Sequence, residues 1–148
     1  MKELKERIQQ LAKQYHPEFI AVRHHLHSHP ELSYKEFETS KYIQLHLQKS
    51  GIPFEIKAGT GVIGLLKGKN PGKRVIALRA DMDALPITEA NTVSYKSINE
   101  GIMHACGHDA HMASLIGVAN ILQSVKNGFG GTVKLIFQPG EEILPGGA

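Results

Sequence analysis

Cys106 and His108 stand two residues apart, with Gly107 between them. That spacing puts two side chains on opposite sides of a helix but on the same side of an extended segment. Gly107 lets the backbone bend so that both reach one ion. A thiolate and an imidazole suit a borderline transition ion such as zinc, and carboxylate oxygens widen the range to manganese or cobalt. Structural zinc sites close with four Cys or His ligands, so one cysteine with no CxxC partner points instead to an open, catalytic site.

Carboxylates for such a site occur in two further clusters. Glu141 and Glu142 are adjacent, so on extended backbone they face opposite ways, and one can ligate metal while the other faces substrate as a general base. Metal-activated water with a carboxylate beside it to take its proton is the chemistry of amide hydrolysis. Asp81 and Asp83 form the other cluster, although they also suit the capping of a turn before Pro86. His104 and His111 flank the Cys-Gly-His segment, where ligation, helix capping and a supporting role all stay open. His24, His25, His27, His29 and His46 fall on helical segments and read as surface or helix-packing residues.

The elements that must position these clusters follow from periodicity. Leu4, Ile8 and Leu11 space an amphipathic helix over residues 1–15, which Pro17 is expected to interrupt. Phe19, Ile20, Val22 and Leu26 restart it until about His29, before Pro30. Ser33 with Glu36 three positions on has the form of a capping box for a third helix through Phe37, Ile43 and Leu47, ending at Gly51. Short β-rich runs follow at 54–56, 61–66, 74–80 and 132–138, with a helix between His108 and about Val125. The runs at 75–78 and 133–137 are apolar enough to be inner strands covered on both faces. An α/β layer structure with a mostly parallel sheet is the expectation, with the acidic clusters just beyond strand ends, where such sheets bind ligands.

Composition narrows the function classes. With 148 residues, 41% hydrophobic and 21% charged, the chain suits one globular domain and neither a disordered nor a fibrous class. A net charge of +3 from scattered basic residues disfavours binding to nucleic acid or membrane by charge alone. The longest apolar runs fall far short of the roughly 20 residues of a membrane-spanning helix. No leader-like apolar stretch opens the chain, and the cytoplasm is the expected location.

Four segments, in order, resemble the M20 metallopeptidases: Arg23 to Ser33, Leu78 to Ile87, His104 to His111 and Phe137 to Glu142. The resemblance is closest to the amidohydrolase branch, which holds N-acyl-amino-acid amidohydrolases, hippurate hydrolases and indole-acetyl-amino-acid hydrolases. Arg23-His24 stands where that branch often has Arg-Arg. The resemblance implies α/β/α layers, Cys106 and His108 as metal ligands, Glu141 as catalytic base and Glu142 as a further ligand. Asp83 falls where related peptidases place the Asp that orients a metal-binding His, which gives it a supporting catalytic role and leaves the role of Asp81 open.

The implied activity is cleavage of the amide of small N-acyl amino acids with two divalent ions, zinc, manganese or cobalt. Family members are longer chains, whose second part adds His ligands and an inserted lid with substrate-binding and dimer contacts. Residues 1–148 are thus expected to be the N-terminal part of a metallopeptidase catalytic domain, without the lid and inactive alone, the full-length form being a homodimer. The alternative is a metal-binding remnant or interaction module that has lost turnover.

Overall fold

The structure, a computed structural model, describes residues 2–147. Leu4, Ile8, Leu11, Phe19, Val22 and Leu26 form one apolar stripe, and they lie on one continuous helix, α1 (Lys2–Ser28). Pro17 does not interrupt it. The proline is on the solvent side, as is Lys13, whose carbonyl loses its donor, while Leu11, Phe19 and Val22 pack on either side of the gap. Tertiary packing outweighs the local cost.

The next helix, α2 (Phe37–Lys49), begins without the expected capping box: Glu36 is its N-cap residue and makes no side-chain cap bond. Both residues of that apparent box are engaged elsewhere. Ser33 Oγ donates to Asp83 Oδ2 at 2.6 Å, and Glu36 accepts hydrogen bonds from Thr60 and Gly140. The helix start is held instead by Glu31, whose carboxylate accepts the N–H groups of Glu38 and Thr39.

Four strands follow the predicted runs: β1 (Phe54–Lys57), β2 (Gly61–Lys67), β3 (Asn70–Asp81) and β4 (Gly130–Gln138), with α3 (His108–Ser124) between the last two. Their order is β1-β2-β4-β3, so β4 inserts between two strands that precede it. The α/β class is as expected, and the sheet is mixed. Its parallel pairing is β3 with β4, whereas β1–β2 and β2–β4 run antiparallel; the three-residue turn at 58–60 can only reverse the chain between β1 and β2.

One helical layer covers one face. Val22, Leu26, Ile43, Leu47, Met112, Ile116 and Ala119 pack on Val62, Leu66, Val133, Leu135 and Phe137. The opposite face carries Ile63, Leu65, Lys134 and Ile136, and among the described residues no helix lies over it, so the second helical layer of the expected architecture is not found there. Strand β3 also departs from the expected inner strand. Among the described residues it pairs only with β4, and Val75 and Ile76 are 53% and 58% exposed. Neighbouring strand residues point to opposite faces, so both faces of β3 are open at this level. Among the described residues no helix is long and apolar enough to cross a membrane.

Candidate metal centre

Parallel pairing places Asp81 beside Gln138, and so brings the carboxyl ends of β3 and β4 to one rim of the sheet. The segments leaving those ends carry Asp83 and the Glu141-Glu142 pair, and α3 starts at the same rim with His108 as its first residue. Gly107, at its N-cap, has a φ of +84°, the left-handed conformation that turns the chain from Cys106 into the helix. Three sequence clusters thereby meet.

Donor atoms of Cys106, His108 and Glu142 lie within 4.8 Å of one another, and so do those of Asp81, His108 and His111. The two groups share His108. His108 Nδ1 lies 2.8 Å from the backbone carbonyl of Asp83, an oxygen that can only accept, so Nδ1 carries the proton and Nε2 the lone pair. Nε2 is 3.8 Å from Glu142 and 3.9 Å from Glu141. Asp81, by contrast, is paired with Arg79 at 2.7 Å. The lone pair on Nε2 thus has both carboxylates of the Glu141-Glu142 pair within 4 Å.

The donor chemistry fits a divalent transition ion. Oε1 of Glu142 is buried with no hydrogen-bond partner, an uncompensated anionic oxygen beside a sulfur and an imidazole nitrogen. Cys106 is exposed at the mouth. The adjacent Glu142 carboxylate, burial and the other nearby carboxylates push its thiol pKa up, an effect a cation at this position would reverse.

Beneath these residues is a buried polar layer. Burial would push the Asp83 carboxyl up, but the His108 imidazole, the Ser33 hydroxyl and the Glu142 N–H outweigh it and hold Asp83 well below the usual carboxylate range. The same Asp83 raises the pKa of His108 against the effect of burial. Asp83 thus touches both His108 and the loop carrying Glu142, the latter through the Glu142 N–H at 2.9 Å.

On the other side of α3, Asp109 accepts from Arg23 at 3.0 Å and contacts His27 Nδ1 at 2.8 Å, while His27 Nε2 meets Glu89 at 3.1 Å. His27 is therefore a buried bridge between the start of α3 and the irregular segment before it. His104 is also buried, with neither ring nitrogen hydrogen-bonded, and desolvation pushes its pKa down to about 4. His24 stacks on Tyr95, and His25 on Tyr42, away from the centre. Sequence reasoning assigns none of these roles to Arg23, Ser33, Glu36 and Glu89: Ser33 and Glu36 read as a helix cap, Arg23 lies in the first family-like segment without an assigned part, and the contacts to Asp109, Asp83, Thr60, Gly140 and His27 span 24 to 104 positions.

Known proteins resemble this chain in sequence and in fold. The profile of peptidase family M20/M25/M40 matches residues 77–148. The N-acyl-L-amino acid amidohydrolase of Geobacillus stearothermophilus is 46% identical over 145 residues, 97% of this chain and 39% of that protein. An IAA-amino acid hydrolase of Arabidopsis thaliana is 48% identical over 128 residues, 86% of this chain and 29% of that protein. The crystal structure of the Bacillus subtilis YXEP protein, a dinuclear metal-binding peptidase of the M20 family, matches with a TM-score of 0.86 and 47% identity, covering 90% of this chain and 38% of that one. The chain spans less than two-fifths of the length of these relatives. With nearly one residue in two identical along most of its length, and its fold shared with a solved member, the chain belongs to peptidase family M20.

Proposed function

We propose that this chain contributes to a metal-dependent amidohydrolase that cleaves small N-acyl amino acids. The observation that carries the reading is the convergence on His108 Nε2 of two adjacent carboxylates, at 3.9 and 3.8 Å, with the Cys106 sulfur in the same group. Cys106, His108 and Glu142 would hold a divalent ion, with zinc or cobalt favoured by the thiolate and manganese by the carboxylate. When bound, such ions supply Lewis acidity, which polarises an amide carbonyl and makes water easier to deprotonate.

The chain's own residues do the rest. Glu141, the more exposed carboxylate of the pair, takes a proton from the attacking water and returns it to the leaving amine nitrogen. Asp83 keeps the His108 proton on Nδ1 and the ligating lone pair on Nε2. Residues 1–148 form the N-terminal part of the catalytic domain, and the length by which the relatives exceed this chain supports a remainder that completes it. Two ions are the expected complement of the whole domain, following the dinuclear relative. The described donor groups share one histidine and supply ligands for a single ion by themselves.

Glu141→Gln keeps shape and removes the base. In the complete catalytic domain it lowers kcat for an N-acetyl amino acid by ~10²-fold or more, with metal content near that of the parent. Glu142→Gln lowers metal content together with activity. Equal metal loss in both variants would reverse the two roles, and hydrolysis of no N-acyl amino acid by the complete domain would overturn the reading, leaving a metal-binding module without turnover.

A further inference from the structure

Glu36 is fully buried, and its carboxylate makes two hydrogen bonds. Oε2 accepts from Thr60 Oγ1 at 2.7 Å, and Oε1 accepts the backbone N–H of Gly140 at 2.8 Å. Taking a carboxylate out of water is costly, and the cost is offset only by the bonds it makes inside. Here those bonds join the turn between β1 and β2 to the residue directly before Glu141. The start of α2, where Glu36 sits, favours negative charge.

Gly140 is constrained from a second side. Its φ is +62°, and a Cβ placed on it would lie 2.5 Å from the Tyr34 ring. Tyr34, itself at a φ of +61°, donates its hydroxyl to the Ile143 carbonyl at 3.3 Å. Ser33 holds Asp83, which receives the Glu142 N–H. Residues 33–36 therefore form a cradle around the loop 140–143, gripping it before, within and after the Glu141-Glu142 pair. No group of the cradle belongs to the donor sets around His108.

We propose that Glu36 is a positioning residue for that pair: by fixing the Gly140 N–H it sets the bend that aims Glu141 and Glu142 at His108. The proposal rests on the roles given above to Glu141 as base and Glu142 as ligand. Groups that orient metal ligands from behind typically change affinity by roughly 10–100-fold when removed, and a small misplacement of a reacting group costs up to ~10²-fold in rate.

The test titrates cobalt(II) into the 148-residue chain, followed by thiolate-to-cobalt absorption, and measures kcat and KM in the complete catalytic domain. Glu36→Ala weakens cobalt binding by roughly 10–100-fold and lowers kcat by a similar factor with KM little changed. Glu36→Gln recovers most of both, because its amide oxygen can accept from Gly140 while its NH₂ donates to the Thr60 hydroxyl. Thr60→Val, which keeps the volume and removes one bond, shows an intermediate loss and serves if Glu36→Ala does not fold. Native circular dichroism with unchanged cobalt affinity and kcat in Glu36→Ala, or in Thr60→Val where the alanine variant is unfolded, would overturn the proposal. Failure of the base assignment is separable: Glu141→Gln would then keep full kcat, while the cobalt arm still reports on Glu36.

Discussion

His108 owes its usefulness to a backbone atom. The Asp83 carbonyl holds its Nδ1 proton, so the ring presents one lone pair, on Nε2, to the Glu141-Glu142 pair. The thiol is the accessible reporter of that arrangement, being the only cysteine and exposed. In chelator, alkylation of Cys106 is expected to be measurable and to accelerate with pH beyond the ordinary thiol range, because Glu142 and its neighbours raise the pKa. Zinc should slow it by roughly an order of magnitude or more by occupying the sulfur. Equal rates with and without metal, in protein shown to hold it, would remove Cys106 from the ligand set. His104 predicts a different pH effect. Its folded pKa is pushed down to about 4, whereas the unfolded chain takes up this proton near ~6.5. Between these values the unfolded state binds more protons, so stability is full above about pH 6.5 and falls as the pH drops toward 4. His25 and His46, both lowered chiefly by burial, add in the same direction. Between pH 7 and 5 His104 should cost the equivalent of about 2 kcal/mol in urea unfolding in chelator, partly offset by His108, whose pKa is raised. His104→Asn should flatten that slope, and an unchanged slope would exclude His104 as its source.

Element by element, the structure follows local signals where they agree with long-range packing and departs where they do not. Pro17 is the clearest departure: it sits exposed in the middle of a 27-residue helix. A helix-interior proline is less favourable than alanine by ~3 kcal/mol, part of which its restriction of the unfolded chain offsets. Pro17→Ala should therefore raise stability by about 2 kcal/mol in urea unfolding, and a decrease would mean that the ring makes a contact its exposure does not suggest. Strand positions and α3 were legible because alternation and 3.6-residue spacing persist over whole segments, as in Met112, Leu115, Ile116 and Ala119. Ser33 and Glu36 were not, because a capping box and a pair of long-range clamps have the same local spelling. His27 had the spelling of a surface histidine, with carboxylate partners 62 and 82 positions away. The residues that the structure gathers at the candidate site, Asp83, Cys106, His108, Glu141 and Glu142, stand in the sequence as three contiguous clusters. Their grouping around His108 became visible only once the strand ends were aligned.

At the scale of the molecule, the sheet has one helical layer and a long edge strand, and both faces of β3 are open at Val75 and Ile76. An exposed, apolar edge strand invites pairing with another chain. The 148-residue chain is expected to self-associate with rising concentration in sedimentation velocity, and Ile76→Lys should suppress this while leaving circular dichroism unchanged. Association unaffected by the substitution would place the contact elsewhere. Strand order has a further consequence, in time rather than in space. Strands β2 and β3 are consecutive in the chain, yet each pairs with β4, which lies between them and is synthesised after both. Until residue 130 leaves the ribosome, the β1–β2 hairpin and β3 have no strand to join them, and the rim that gathers Asp83, His108 and Glu142 does not exist. Insertion of β4 therefore unites the four described strands and brings the candidate metal-binding side chains together in one step. The nascent chain exposes an unpaired β3 for longer than any other strand-forming segment before that step, and this is the interval in which a chaperone would matter most.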